Sequence, residues 1–145
     1  MNLRYIEKYL PFGLAFVWLL SGMLHSGNLP RFALDICRYD VVPCWTAAYL
    51  SPLLCSIHLV LGAYLLSGYY QQPCMLISGL LLSGYTLAMV TALTQGLNIS
   101  CGCLGTLSPS ISWSHVVFNA ALIAVIFVWW LLCRNGVKDV ALSKV

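Results

Sequence analysis

Four long stretches of the chain are almost wholly apolar, and short polar breaks separate them. They run at about 10–26, 45–69, 75–97 and 111–132. A membrane-crossing helix needs roughly 20 apolar residues at about 1.5 Å of rise each, and every stretch comes near that length. None alternates apolar and polar residues with a period of two, so helices are predicted over the strands of a barrel. The breaks agree. Gln71-Gln72-Pro73 predicts a tight turn, and the stretch from Gly96 to Pro109, rich in Gly, Ser and Asn, predicts a polar loop.

The connection after the first stretch has a pattern of its own. Pro30 suits the first position of a short helix. Phe32, Ile36 and Tyr39 then fall on one face, with Arg31, Asp35 and Arg38 on another, where Asp35 can pair with either arginine. An amphipathic helix lying on the membrane is expected. Farther along, Gly84, Ala88 and Ala92 recur every fourth residue, as do Ala120 and Ala124. Small-residue stripes of this kind predict close helix packing in the bundle.

Charge sharpens the picture. Only 8% of the residues are charged and 61% are hydrophobic, and no Asp, Glu, Lys or Arg occurs from Val41 to Cys133. A soluble domain carries about 25% charged residues, so this composition requires a lipid surround. The fold class expected is all-α: one membrane domain over residues 1–145, a four-helix bundle with a short interfacial helix in the first outward loop. Leu24 stands where signal cleavage wants a small residue, which predicts a retained first helix. With four spans, Arg4, Lys8, Arg134, Lys138 and Lys144 share one side, against Arg31 and Arg38 on the other. The positive-inside rule then places the termini in the cytoplasm and the first and third loops outside, in the periplasm of a bacterial inner membrane. No basic run points to nucleic acid. The four acids all lie in flanks, so hydrolysis by paired carboxylates is excluded.

Seven cysteines then become the candidate chemistry. Cys101 and Cys103, either side of Gly102, can meet the geometry of a disulfide in a bent chain. So small a ring removes little chain entropy, which suits thiol exchange better than bracing. Metal ligation and a structural turn stay open as alternatives. Cys37 and Cys44 are expected on the same side and could form a second pair, giving a four-cysteine relay; alternatively, Cys37 is an apolar side chain on the surface helix. Cys55, His58 and Gly62 share one face of the second span, with His58 an ionisable group at depth. A neutral histidine bonded to another helix is the plainer reading. His25 and His115 belong near outward helix ends, where either could favour a thiolate, contact a quinone head group, or simply sit at the interface. Cys74 and Cys133 fall near the cytoplasmic surface, where an inert role is expected.

Gly22, Phe32, Tyr39, Val41-Val42-Pro43, Leu61-Gly62, Cys101-Gly102-Cys103-Leu104-Gly105, Trp113 and Asn119 together give the chain a likeness to a known group. From Pro11 to Leu132 it resembles the MauE family, four-helix membrane proteins related to the DoxX-like group. The resemblance implies an accessory membrane protein that acts with a periplasmic thioredoxin-like partner. It points to maturation of a disulfide-rich protein such as methylamine dehydrogenase, and it assigns a redox role to Cys101 and Cys103. This chain departs from the pattern at His58, where relatives often carry Glu, and at His25, where Lys or Arg often follows the first helix. Cys37 and Cys44 lie outside the pattern. The function expected is a membrane thiol–disulfide redox protein, with catalytic roles for Cys101, Cys103, Cys37 and Cys44. His25 and His58 are cofactor-binding candidates, toward a bilayer quinone by analogy with DsbB-type proteins. A non-enzymatic scaffold for a partner's maturation or export, and a thiol-based carrier of a soft metal, are the alternatives.

Overall fold

The computed structural model describes residues 3–97, 99 and 110–142. Five helices account for almost all of them: α1 Leu3–Ser26, α2 Leu29–Arg38, α3 Cys44–Ser67, α4 Gln71–Thr94 and α5 Trp113–Leu142. Four have apolar segments long enough to cross a membrane: Tyr9–Ser26, Cys44–Ser67, Gln71–Thr94 and Trp113–Cys133. The protein is an all-α four-helix membrane bundle with one short extra helix. Outward-facing Phe16, Leu80, Leu87, Val117 and Phe118 make a surface suited to acyl chains rather than water.

The core draws Leu14, Ala15 and Trp18 from α1, Leu61 and Leu65 from α3, Met75 from α4, and Ile126 and Trp129 from α5. Packing is uneven. α1 lies most extensively on α3 and α4 on α5, so the bundle consists of two helix pairs with a thinner seam between them. Hydrogen bonds cross that seam among the described residues: Trp18 Nε1 donates to Ser78 Oγ at 3.0 Å, and His58 Nε2 meets Tyr85 Oη at 2.7 Å.

Two glycines on facing helices, Gly22 of α1 and Gly62 of α3, permit a close approach. A Cβ on Gly62 would stand 2.6 Å from Leu19 Cγ and 3.0 Å from Leu19 N; one on Gly22 would stand 2.8 Å from Leu59 Cγ. The small-residue stripes behave otherwise. Ala92 is fully buried, but Gly84, Ala120 and Ala124 face outward, and a Cβ at Gly84 would meet nothing within 4 Å. The expectation of close packing fails there because a four-residue repeat fixes a shared face, not the direction in which it points.

Two connections also differ from expectation. Gln71, Gln72 and Pro73 form the first turn of α4 instead of a tight turn; the chain reverses at Gly68 and Tyr70, both at positive φ (77° and 56°). Proline is harmless in a first turn, where its missing N–H has no intrahelical partner. α2 starts at Leu29, with Pro30 second; Asn28 caps it, its side-chain oxygen accepting from Arg31 N at 3.2 Å. The inner face carries Phe32 and Asp35, both buried. Asp35 thus leaves the polar face expected of it, since a position three residues after Phe32 turns inward with it. Arg38, at 3.5 Å, pairs with its carboxylate. Removing the cap by Asn28→Ala is expected to weaken α2 by about 1 kcal/mol, read as faster hydrogen exchange confined to Leu29–Arg38.

Candidate functional site

α2 ends in a loop that doubles back onto α3. Cys37 lies in the last turn of α2 and Cys44 is the first residue of α3. Between them Tyr39 N donates to Ile36 O at 3.3 Å, Asp40 N donates to Cys37 O at 3.1 Å, and Asp40 takes a φ of 52°. Aspartate tolerates this left-handed conformation better than most residues. The reversal brings the two Cα atoms to 4.8 Å, and a disulfide joins Cys37 to Cys44. Pro43 stands before α3, its carbonyl accepting from Thr46 N at 2.9 Å and Thr46 Oγ1 at 2.6 Å. Cys44 is exposed; Cys37 is half-buried.

Beneath α2 lies a polar cluster inside the bundle. His25, buried near the end of α1, stacks on Phe32 of α2 at 3.8 Å between ring centroids. Its ring lies 6.2 Å from that of His58, which is also buried. His58 Nδ1 is 3.4 Å from Ser21 Oγ, its Nε2 meets Tyr85, and Trp18 covers it at 4.7 Å. Cys55 Sγ donates to Gly22 O at 3.2 Å. Every buried side-chain nitrogen and oxygen among the described residues has a hydrogen-bond partner. The arrangement resists partial removal, since a polar atom stranded in lipid costs about 1–3 kcal/mol. Beside the cluster Leu54, Ile77, Leu80, Leu81, Gly84 and Tyr85 line an open cavity of about 390 Å³.

The turn Cys101-Gly102-Cys103 lies outside the described residues, but the stems of its loop do not. Ile111 N donates to Ile99 O at 2.9 Å and ties them together. Met89, Ala92 and Ile111 form a second buried cluster, against which Leu97, Ile99 and Val116 pack. Tyr39, from the segment between Cys37 and Cys44, packs on the same cluster. The disulfide and the base of the Cys-Gly-Cys loop therefore occupy one end of the bundle.

The family model described as methylamine utilisation protein MauE matches residues 3–132. The chain belongs to the MauE family. No curated protein and no solved structure matches it. Membership makes this an accessory membrane protein of the methylamine-utilisation type.

Within this MauE-family chain the structure brings Cys37 to Cys44 and His25 to His58. His115 stays apart, half-buried in the first turn of α5, its Nδ1 2.8 Å from Ser112 Oγ. Cys74 is buried in the core, and Cys133 packs half-buried against it. Among the described residues no three His, Cys, Asp or Glu side chains gather closely enough to hold a metal ion. Sequence reasoning missed Trp18, Ser21 and Tyr85 as partners of His58. A signal for two of them existed: Trp18, Ser21 and His25 fall at i, i+3 and i+7, a polar-tipped line along one face of an apolar helix. Tyr85 carries no such mark.

Proposed function

We propose that this protein is a membrane thiol–disulfide redox protein that exchanges disulfides with a periplasmic thioredoxin-like partner. Its role would be maturation of a disulfide-rich periplasmic protein such as methylamine dehydrogenase. The observation that carries the reading is the Cys37–Cys44 disulfide, set at the same end of the bundle as the stems of the Cys101–Cys103 loop. One cysteine pair would face the partner and the other would pass electrons on. The excess of Lys and Arg on the side of the termini supports a placement of both pairs in the oxidising compartment, where disulfides persist.

Exchange proceeds through a mixed disulfide: a thiolate attacks one sulfur of a disulfide, and the other sulfur leaves with the electron pair. The test is Cys103→Ser, scored by the redox state of the thioredoxin-like partner in whole cells on non-reducing gels. The partner is expected to shift strongly toward one redox state. An unchanged partner overturns the proposal. Lost stability with unchanged partner redox state would identify a scaffold instead.

A further inference from the structure

The two cysteines of the Cys37–Cys44 disulfide differ in exposure and in their place on a helix. Cys44 is exposed, and its neighbours Val41, Pro43 and Trp45 are exposed with it, an apolar rim around the cysteine. Cys37 is half-buried on α2, two residues before Tyr39, whose side chain is seated on the cluster at the loop stems. The electrostatic settings are opposite as well. Cys44 opens α3, at the positive end of the helix dipole, with no side-chain cap on the turn. Cys37 lies in the last turn of α2, at the negative end of that helix's dipole.

We propose that Cys44 is the sulfur that joins the partner and Cys37 the one that resolves the adduct. This assignment rests on the thiol-exchange reading above. In one direction, a thiolate of a reduced thioredoxin-fold dithiol attacks Cys44 Sγ. The new bond joins the partner's sulfur to Cys44 as the Cys37–Cys44 bond breaks. Cys37 leaves with the electron pair and takes up a proton, which suits a half-buried sulfur at a helix C-terminus. The partner's second thiolate then attacks its own sulfur in the adduct and releases Cys44 as thiolate. The partner loses two electrons, and the Cys37–Cys44 pair gains them. In reverse, the Cys44 thiolate attacks an oxidised partner, and Cys37 closes the disulfide.

Leaving-group stability taken alone would favour attack at Cys37, because Cys44 is the better-stabilised anion. Access weighs against it: an incoming sulfur must reach the disulfide, and Cys44 is the more exposed of the two residues.

The assignment is tested on the full wild-type chain in nanodiscs, reduced and then given limiting iodoacetamide at neutral pH, with each cysteine followed by peptide mass spectrometry. Cys44 is expected to alkylate about tenfold faster than Cys37. A ratio below roughly fivefold, or a reversed one, overturns it, since access and thiolate fraction would then be no guide. A second measurement uses the thioredoxin-like partner. C37S is expected to hold a stable adduct through Cys44, and C44S to hold none; adducts through Cys37 overturn the assignment. A clear alkylation ratio with no adduct in either variant would sink the thiol-exchange reading and leave the asymmetry of the two sulfurs standing.

Discussion

Gly62→Val is expected to push α1 away from α3 and lower the stability of the bundle by about 2–3 kcal/mol. The magnitude follows from what a side chain would meet. The first carbon alone would fall 2.6 Å from Leu19 Cγ, 2.9 Å from Leu19 Cδ2 and 3.0 Å from Leu19 N. Rotation of Leu19 relieves the second contact but not the third, which is backbone. Replacing glycine within a helix normally gains up to about 1 kcal/mol of propensity, so the clash must exceed that gain for the sign to hold. Gly13→Ala and Gly84→Ala supply the contrast, because a Cβ at either position meets nothing within 4 Å. Both are expected to be neutral or stabilising. Unfolding titrations in mixed micelles check all three; a Gly62→Val protein as stable as the parent would mean the helices lie farther apart than described.

Breaking the Cys37–Cys44 bond has the second large effect, confined to one element. The bond closes a ring across a separation of seven residues, and chain-entropy reasoning gives such a ring about 2–3 kcal/mol. Only α2 and the segment leading to α3 lie within its reach. The double variant Cys37→Ser, Cys44→Ser is therefore expected to raise hydrogen exchange in Leu29–Arg38 by roughly 30- to 150-fold, the factor that this free energy corresponds to. The α1–α3 contact at Gly22 and Gly62 should keep its protection. Equal exchange in both proteins would show that α2 is held by Phe32 on His25 and not by the covalent link.

The spans were legible because lipid demands an unbroken apolar run, and a run is a one-dimensional signal. The short helix was legible for a similar reason: Phe32, Ile36 and Tyr39 mark a face by spacing alone. What remained hidden depends on how helices face one another. Gly22 and Gly62 are single glycines on separate helices, and nothing in the order of residues sets one against the other. The same holds for His25 with His58, and for His58 with Tyr85. Conversely, Ala120 and Ala124 show the expected repeat yet look toward lipid. Asp35 misled because a carboxylate was read as a surface group, whereas Arg38 lets it turn inward. The Cys37–Cys44 pair was a possibility on grounds of shared side, and the reversal at Asp40 supplies the proximity that side alone could not.

The seam between the two helix pairs has a thermodynamic consequence. Apolar side chains facing a neighbouring helix and those facing acyl chains have nearly equal free energies, so greasy contact does little to choose one alignment of the halves over another. The bonds from Trp18 to Ser78 and from His58 to Tyr85 do choose, because sliding one pair along the other breaks both and leaves Trp18 Nε1 without its acceptor in hydrocarbon. They act as a detent: the halves click into one register, and any excursion costs the same two bonds at once. A shift of one half along the other is therefore expected to go in a step, from a latched seam to an unlatched one.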